Sequence, residues 1–266
     1  MMEVMVCSMA KRPFYVSISG KGGAGKTTLA ALLLKVLLES SHDDDILVVD
    51  ADPATNLPQV LGLAISKTIG DVSEEFRKGF YRLDNIGFEK TALLEYYIMR
   101  DCIVEAEGFD FIAMGRGEGE GCYCYVNAVL SGILGKLVQH YSVVLMDMEA
   151  GLEHLNRRLD RHVNTFIIVV DNSLMSLKTA EKMKEVIKEV ELKADEIYVV
   201  GNRLSRRREE AVIEWASQNG IKYVGTIPND ENVAEFAANG IPLLNLPKTS
   251  EALKAAYQIA KNIDLI

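Results

Sequence analysis

The residues with the clearest chemistry are Gly20-Lys21-Gly22-Gly23-Ala24-Gly25-Lys26-Thr27-Thr28, which fit the pattern G-x-x-x-x-G-K-[ST]. A turn of this kind aims backbone N–H groups at phosphate oxygens and opens into a helix N-terminus, where the dipole favours an anion. Glycine is needed because a Cβ would block the approach. Gly22, Gly23, Ala24 and Gly25 then form the cradle. Lys26 reaches the β- and γ-phosphates, the Thr27 hydroxyl completes a Mg²⁺ shell, and Thr28 bonds the α-phosphate. Lys21, near the start of the turn, is an extra cation with no part in this scheme; a solvated loop lysine is the plain alternative.

The flanks suit the motif. Phe14 to Ser19 is β-rich, and Thr27 to Leu38 has the Ala and Leu content of a buried helix. Further apolar runs follow at Ile46 to Asp50, Phe109 to Met114, Val143 to Asp147, Thr165 to Val170, Ile197 to Asn202 and Tyr223 to Ile227. Several lack polar alternation, as Phe166-Ile167-Ile168-Val169-Val170 shows, which suits strands covered on both faces. The pattern predicts an α/β fold: one P-loop NTPase domain over residues 1–266, with a mostly parallel sheet of about seven or eight strands flanked by helices on both faces. Leu177 to Val190 reads as an amphipathic covering helix. Ser250 to Ile263 reads as a packed terminal helix with Ser250 at its N-cap, in preference to a membrane-targeting one.

In such a sheet, ligands gather at the carboxyl ends of strands. Val143 to Asp147 ends in an acid placed to hold a Mg²⁺-bound water. Asp50 and Asp52 end another strand, with an Asx turn before Pro53 as the alternative for this pair.

Charge and composition narrow the function. The chain has 266 residues, 29 Lys and Arg against 38 Asp and Glu, and a net charge of −9, which argues against a nucleic-acid face over the whole molecule. No run of eighteen apolar residues and no signal peptide is evident, so a cytoplasmic protein without membrane or nucleic-acid partners is expected. His42-Asp43-Asp44-Asp45 and Arg206-Arg207-Arg208 read as solvated charge runs.

The loop G-K-G-G-x-G-K-T-T resembles the deviant Walker A motif of the septum-site, partitioning, arsenite-pump and nitrogenase iron-protein ATPases. That resemblance implies ATP/ADP as ligand and an ATP-dependent homodimer in which Lys21 crosses to the partner's nucleotide, so that Lys21, Lys26 and Asp52 form the catalytic set. Asp52 would orient or deprotonate the attacking water, and Asp50 would support, from further back, the Mg²⁺ shell of Thr27 and Asp147. Gly151 would sense the γ-phosphate, with Glu149, Glu153 and His154 in the segment that moves on hydrolysis. Val199-Val200-Gly201-Asn202-Arg203 resembles the family's base-recognition corner, with Pro228 closing the other side. A plain strand-end Asn is the alternative for Asn202.

Cys122-Tyr123-Cys124 follows a glycine-rich stretch. Two thiolates make half of a closed four-donor site, so the pair invites a second C-x-C from another subunit. A redox pair or two idle thiols are the alternatives; Cys7 and Cys102 read as structural. Gly-Arg-Gly before Cys122-x-Cys124, the deviant loop and Asp-Met-Glu-Ala-Gly-Leu-Glu-His together resemble CooC-type nickel-insertion ATPases. The resemblance implies Ni²⁺ or Zn²⁺ between subunits and carbon monoxide dehydrogenase as metal recipient. A positioning or scaffold ATPase without a metal role is the alternative.

Overall fold

The computed structural model describes residues 13–40, 44–79, 90–116, 132–149, 162–189 and 193–266. Their strands are β1 Phe14–Gly20, β2 Ile46–Asp50, β3 Ile103–Ala106, β4 Phe109–Ala113, β5 Val143–Asp147, β6 His162–Val170, β7 Lys193–Asn202 and β8 Lys222–Ile227. They form one sheet in the order β3-β4-β2-β5-β1-β6-β7-β8. Every pairing is parallel except β3 with β4.

The antiparallel edge strand β3 is absent from the seven apolar runs of the sequence. It is four residues long and turns back through Glu107 and Gly108, whose φ of 83° suits the tight reversal. The alternation in Val104-Glu105-Ala106 and Phe109-Asp110-Phe111 was the available signal, masked by the helix Lys90–Asp101 immediately before it.

Helices cover both faces, giving two buried layers. On one side lies α1, Lys26–Ser40, buried along nearly its whole length. Apolar residues all round suit a helix enclosed on every side. The short α2, Leu57–Leu61, and the terminal Glu251–Asn262 helix share this layer. The lysine inside it, Lys35, is satisfied: Nζ donates to the Leu244 carbonyl at 2.6 Å and pairs with Glu39 at 3.0 Å, while Glu39 also accepts from Tyr257 at 2.6 Å. The terminal helix is therefore packed against α1, as its stripe of Leu253, Ala256, Tyr257, Ala260 and Ile263 predicts. On the other face, Leu174–Glu189 buries Ala180, Met183 and Ile187, and Arg206–Gln218 buries Val212, Trp215 and Ala216. Among the described residues no helix is long and apolar enough to cross a membrane.

Asp230 joins two helices beyond β8. Its Oδ1 caps Glu231–Asn239 by accepting from Asn232 N at 2.8 Å, and its Oδ2 accepts from Ser250 Oγ at 2.6 Å and Ala252 N at 2.9 Å. Burial alone would raise this carboxyl, yet the donors of Ala252, Ser250 and Asn232 hold it well below the usual carboxylate range. Asp230→Ala removes an N-cap and strands the Ser250 hydroxyl, so urea unfolding should show a loss of about 2–4 kcal/mol.

Candidate functional site

Parallel register brings the ends of six strands to one edge. Ile18 and Asp50 both pair with Asp147, Gly20 pairs with Val169, Val170 with Gly201, and Asn202 with Ile227. The phosphate loop leaves β1 here. Gly23 and Gly25 have φ of 78° and 99°, and a Cβ on Gly25 would lie 2.0 Å from Asn202 Nδ2. Glycine at 25 thus serves both the backbone turn and a close approach. Ala24 N donates to the Lys21 carbonyl at 3.0 Å, and α1 starts at Lys26, which is 5% exposed.

Beneath this loop the acids converge. Thr27 Oγ1 donates to Asp147 Oδ2 at 2.6 Å, while the buried Asp147 Oδ1 has no hydrogen-bond partner among the described residues. Asp50, fully buried at 0% exposure, accepts from Asp52 N and Leu57 N, each at 3.0 Å, and so fixes the chain between them. Its backbone carbonyl accepts from Met114 N at 2.8 Å, tying β2 to the exit of β4. The next residues pack closely there: a Cβ on Gly115 would lie 2.2 Å from Thr68 Oγ1, and one on Gly70 2.3 Å from the Arg116 carbonyl oxygen.

Burial dominates the titration of both acids. It pushes Asp147 up to about 6, against the lowering effects of the Thr27 hydroxyl and the Lys26 ammonium. Burial and the neighbouring Asp147 push Asp50 up to about 7, against the N–H groups of Leu57 and Asp52. A hydroxyl, an unpartnered carboxylate oxygen and a net need for positive charge fit a small hard cation such as Mg²⁺. Such an ion usually takes only one or two protein carboxylates, with phosphates and water completing its shell.

Other predicted residues fall in different settings. Asp52 lies at the same strand end, half-buried, and its Oδ1 accepts from Ala54 N at 2.9 Å, so the Asx turn is formed. Asn202 is buried and donates Nδ2 to the Ala24 carbonyl at 2.8 Å. The amide expected to read the base is thus also a strut of the phosphate loop. Arg203 is exposed with φ of 53°, and Pro228 stands half-buried past β8. Lys21 is half-buried beside the exposed Gly22 and Gly23, and Thr28 is half-buried in the first turn of α1. Cys102 sits in the core, its thiol pushed up to about 12 by burial, with Asp101 and Asp71 adding to the shift. Cys7, Cys122, Cys124, Gly151, Glu153 and His154 lie outside the described residues.

Beside the Asn202–Arg203 corner lies a clasp that no motif in the sequence announces. Asn172 Nδ2 donates to the Arg203 carbonyl at 2.5 Å, and Asn172 Oδ1 accepts from Ser205 N at 2.9 Å. Arg208 Nη2 donates to the Ser173 carbonyl at 2.7 Å, so of the three arginines only Arg206 and Arg207 are the exposed charges expected. Asp-Asn-Ser after an apolar strand was the signal, a turn and cap composition with no hint of its distant partner.

A phosphate loop on β1 with an acid at the end of β5 defines a P-loop NTPase, and the chain belongs to the CobQ/CobB/MinD/ParA nucleotide-binding domain family, whose model matches residues 15–243. An uncharacterised ATP-binding protein of Methanocaldococcus jannaschii is 42% identical over 250 residues, 93% of this chain and 97% of the relative. The carbon monoxide dehydrogenase accessory protein CooC of Rhodospirillum rubrum is 28% identical over 247 residues, 87% of this chain and 89% of that protein. Among solved structures, a ParA family ATPase from Chlorobium tepidum superposes with a TM-score of 0.70 at 23% identity, covering 96% of this chain and 100% of that one.

Because both carboxyls titrate above the 3.8 of an ordinary Asp, this pair binds more protons in the nucleotide-free folded chain than in the unfolded chain between about pH 4 and 7. Their contribution to stability therefore falls as pH rises through that window. Asp147→Asn keeps an oxygen for Thr27 and removes the charge, so at pH 8 it should stabilise the nucleotide-free protein by roughly 2 kcal/mol, with little effect at pH 4. Thermal unfolding at the two pH values checks this.

Proposed function

We propose that the protein is a Mg²⁺-dependent ATPase whose nucleotide cycle pairs two copies of the chain, and that pairing controls a thiolate site carrying nickel to a carbon monoxide dehydrogenase. The observation that carries the nucleotide part is the Thr27–Asp147 contact of 2.6 Å beneath the phosphate loop, with the second Asp147 oxygen unpartnered among the described residues. The loop N–H groups from Gly22 to Gly25 bind phosphate, Lys26 the terminal phosphates and Thr28 the α-phosphate. Thr27 and Asp147 hold the ion, which supplies neutralising charge to the triphosphate. Asp50 braces them. Asp52 orients or deprotonates the attacking water, and Lys21 reaches the nucleotide of a second copy. Asn202, Arg203 and Pro228 contact the base, so base binding bears on Ala24 through the Asn202 strut.

The metal part rests on the Cys122-x-Cys124 motif and on the similarity to CooC. A path for coupling begins at Asp50, whose carbonyl holds Met114, because the chain continues from Met114 through Gly115 and Arg116 toward Cys122. Two C-x-C pairs, one per subunit, supply four thiolates, a set that accepts Ni²⁺ or Zn²⁺. Thiolate cargo chemistry suits the reducing cytoplasm.

Lys21→Ala should still bind ATP but lose ATP-dependent dimerisation and lower hydrolysis by about 10²-fold or more, the scale of removing a cation from a phosphoryl-transfer site. Sedimentation and phosphate release measure both; wild-type turnover in the variant would refute the intersubunit role. In a separate test, elemental analysis of anaerobically purified protein should give one ion per dimer, lost when Cys122 and Cys124 are both changed to Ala while ATP affinity stays unchanged. A wild-type protein without bound metal would instead point to a positioning ATPase.

A further inference from the structure

The turn after β6 carries one side chain that its own turn does not use. Between β6 and the helix Leu174–Glu189 the local polar groups pair with one another: Asp171 Oδ1 accepts from Ser173 N at 2.8 Å, Asp171 N donates to Ser176 Oγ at 3.0 Å, and Ser173 Oγ accepts from Ser176 N at 3.1 Å. Asn172 stands exposed in the middle of this turn, and both bonds of its amide among the described residues leave it. Nδ2 donates to the Arg203 carbonyl at 2.5 Å and Oδ1 accepts from Ser205 N at 2.9 Å, so one planar amide grips the chain on either side of Leu204. Docking of the two turns does not depend on it alone, because Arg208 Nη2 joins them through the Ser173 carbonyl at 2.7 Å.

What Asn172 adds is a hold on the residue after Asn202. Arg203 has a φ of 53°, a left-handed conformation that a residue with a long side chain keeps only where its surroundings fix it. Its N–H donates to the Ile227 carbonyl at 2.8 Å, and its carbonyl is the one that Asn172 grips. Asn202, directly before it, keeps Nδ2 on the Ala24 carbonyl at 2.8 Å. Glycine would serve a purely structural turn here, since it takes positive φ at no steric cost. An arginine clamped from 31 residues away instead fits a corner whose side chains have a ligand to meet. We propose that Asn172 is a positioning residue for base recognition: by holding Arg203 in its left-handed conformation it preorganises the Asn202–Arg203 corner for the purine ring of the nucleotide. This rests on the reading of that corner as the base site. Without the clamp the corner spreads over other backbone conformations, and apparent affinity falls with the fraction that stays competent. The phosphate loop keeps its own strut through Asn202, so phosphate binding is spared.

Calorimetry in the presence of Mg²⁺ compares ATP with methyl triphosphate, which carries the same phosphates without ribose or base. Asn172→Ala should weaken ATP about tenfold and leave methyl triphosphate within about twofold of wild type. Asn172→Asp keeps an acceptor for Ser205 N and removes the donor to Arg203. It should lose the same preference for ATP, because repulsion from the new charge falls on both ligands alike. Hydrogen exchange of the Ser205 amide should quicken about tenfold in the Ala variant and stay near wild type in the Asp variant. An unchanged preference for ATP in either variant overturns the positioning role, and so does an equal loss for both ligands in Asn172→Ala, which would mark a general loosening. Wild-type protein that binds ATP no more tightly than methyl triphosphate overturns instead the base-site reading, and exchange at Ser205 still shows whether Asn172 holds the segment.

Discussion

Two carboxylates buried side by side at the ends of paired parallel strands are the constraint around which this site is arranged. Asp50 and Asp147 are in register and almost fully excluded from solvent; burial raises both, and Asp147 makes Asp50 harder still to ionise. Leaving both charged inside the protein is costly unless donors and cations surround them. The phosphate loop supplies some of that compensation, with the Thr27 hydroxyl and the Lys26 ammonium acting on Asp147. The N–H groups of Asp52 and Leu57 supply Asp50. What remains is a standing demand for positive charge, located where a triphosphate would bring its cation. The order of the sheet is what brings these groups together. β1 and β2 lie on either side of β5, so the phosphate loop, Asp50 and Asp147 meet at one edge without any long loop reaching across.

The opposite flank is joined by side-chain amides. Asn202 bonds the Ala24 carbonyl and occupies the space that a Cβ on Gly25 would need, so the phosphate loop can take its shape only with a glycine there. Arg203, held in a left-handed conformation, passes its carbonyl to Asn172, and Arg208 closes the turn through the Ser173 carbonyl. The phosphate loop, the Asn202–Arg203 corner and the Asp171 turn therefore form one connected perimeter. A ligand touching two of these segments meets a frame whose parts already constrain one another. Such preorganisation lets hydrogen-bond donors face phosphate without first being arranged.

Much of this was legible locally. The phosphate loop, its flanking strand and helix, and the acids ending β2 and β5 are patterns within ten or so residues, and backbone physics turns such patterns into elements directly. The capping of the terminal helix by Ser250 was legible for the same reason. The missed features depend on partners far along the chain. Asn172 finds Arg203 and Ser205, Asn202 finds Ala24, and Asp230 reaches forward to a second helix at Ser250 and Ala252. No spacing rule identifies which distant group an Asn or Asp will meet. β3 escaped for another reason: four residues directly after a helix offer too short a period to separate strand from helix end.

The sheet alone leaves the task open, because similar folds occur in proteins described as a ParA family ATPase and a cell division protein. Chemistry at the phosphates is common to such a fold; what differs must lie where the chain leaves the sheet edge. In this molecule several close approaches coincide with such departures. Gly25 yields to Asn202, Gly115 to Thr68, Gly70 to the carbonyl of Arg116, and Gly20 to that of Val169. At Gly70 and Gly20 the close neighbour is backbone, which yields less readily than a side chain. The Gly115 contact lies on the exit of β4, bonded to Asp50 through Met114 and leading in sequence to Cys122. The Gly20 contact lies at the root of Lys21. The Gly115 and Gly20 contacts thus stand beside the two stretches, toward Cys122 and at Lys21, to which the proposed metal and pairing roles belong.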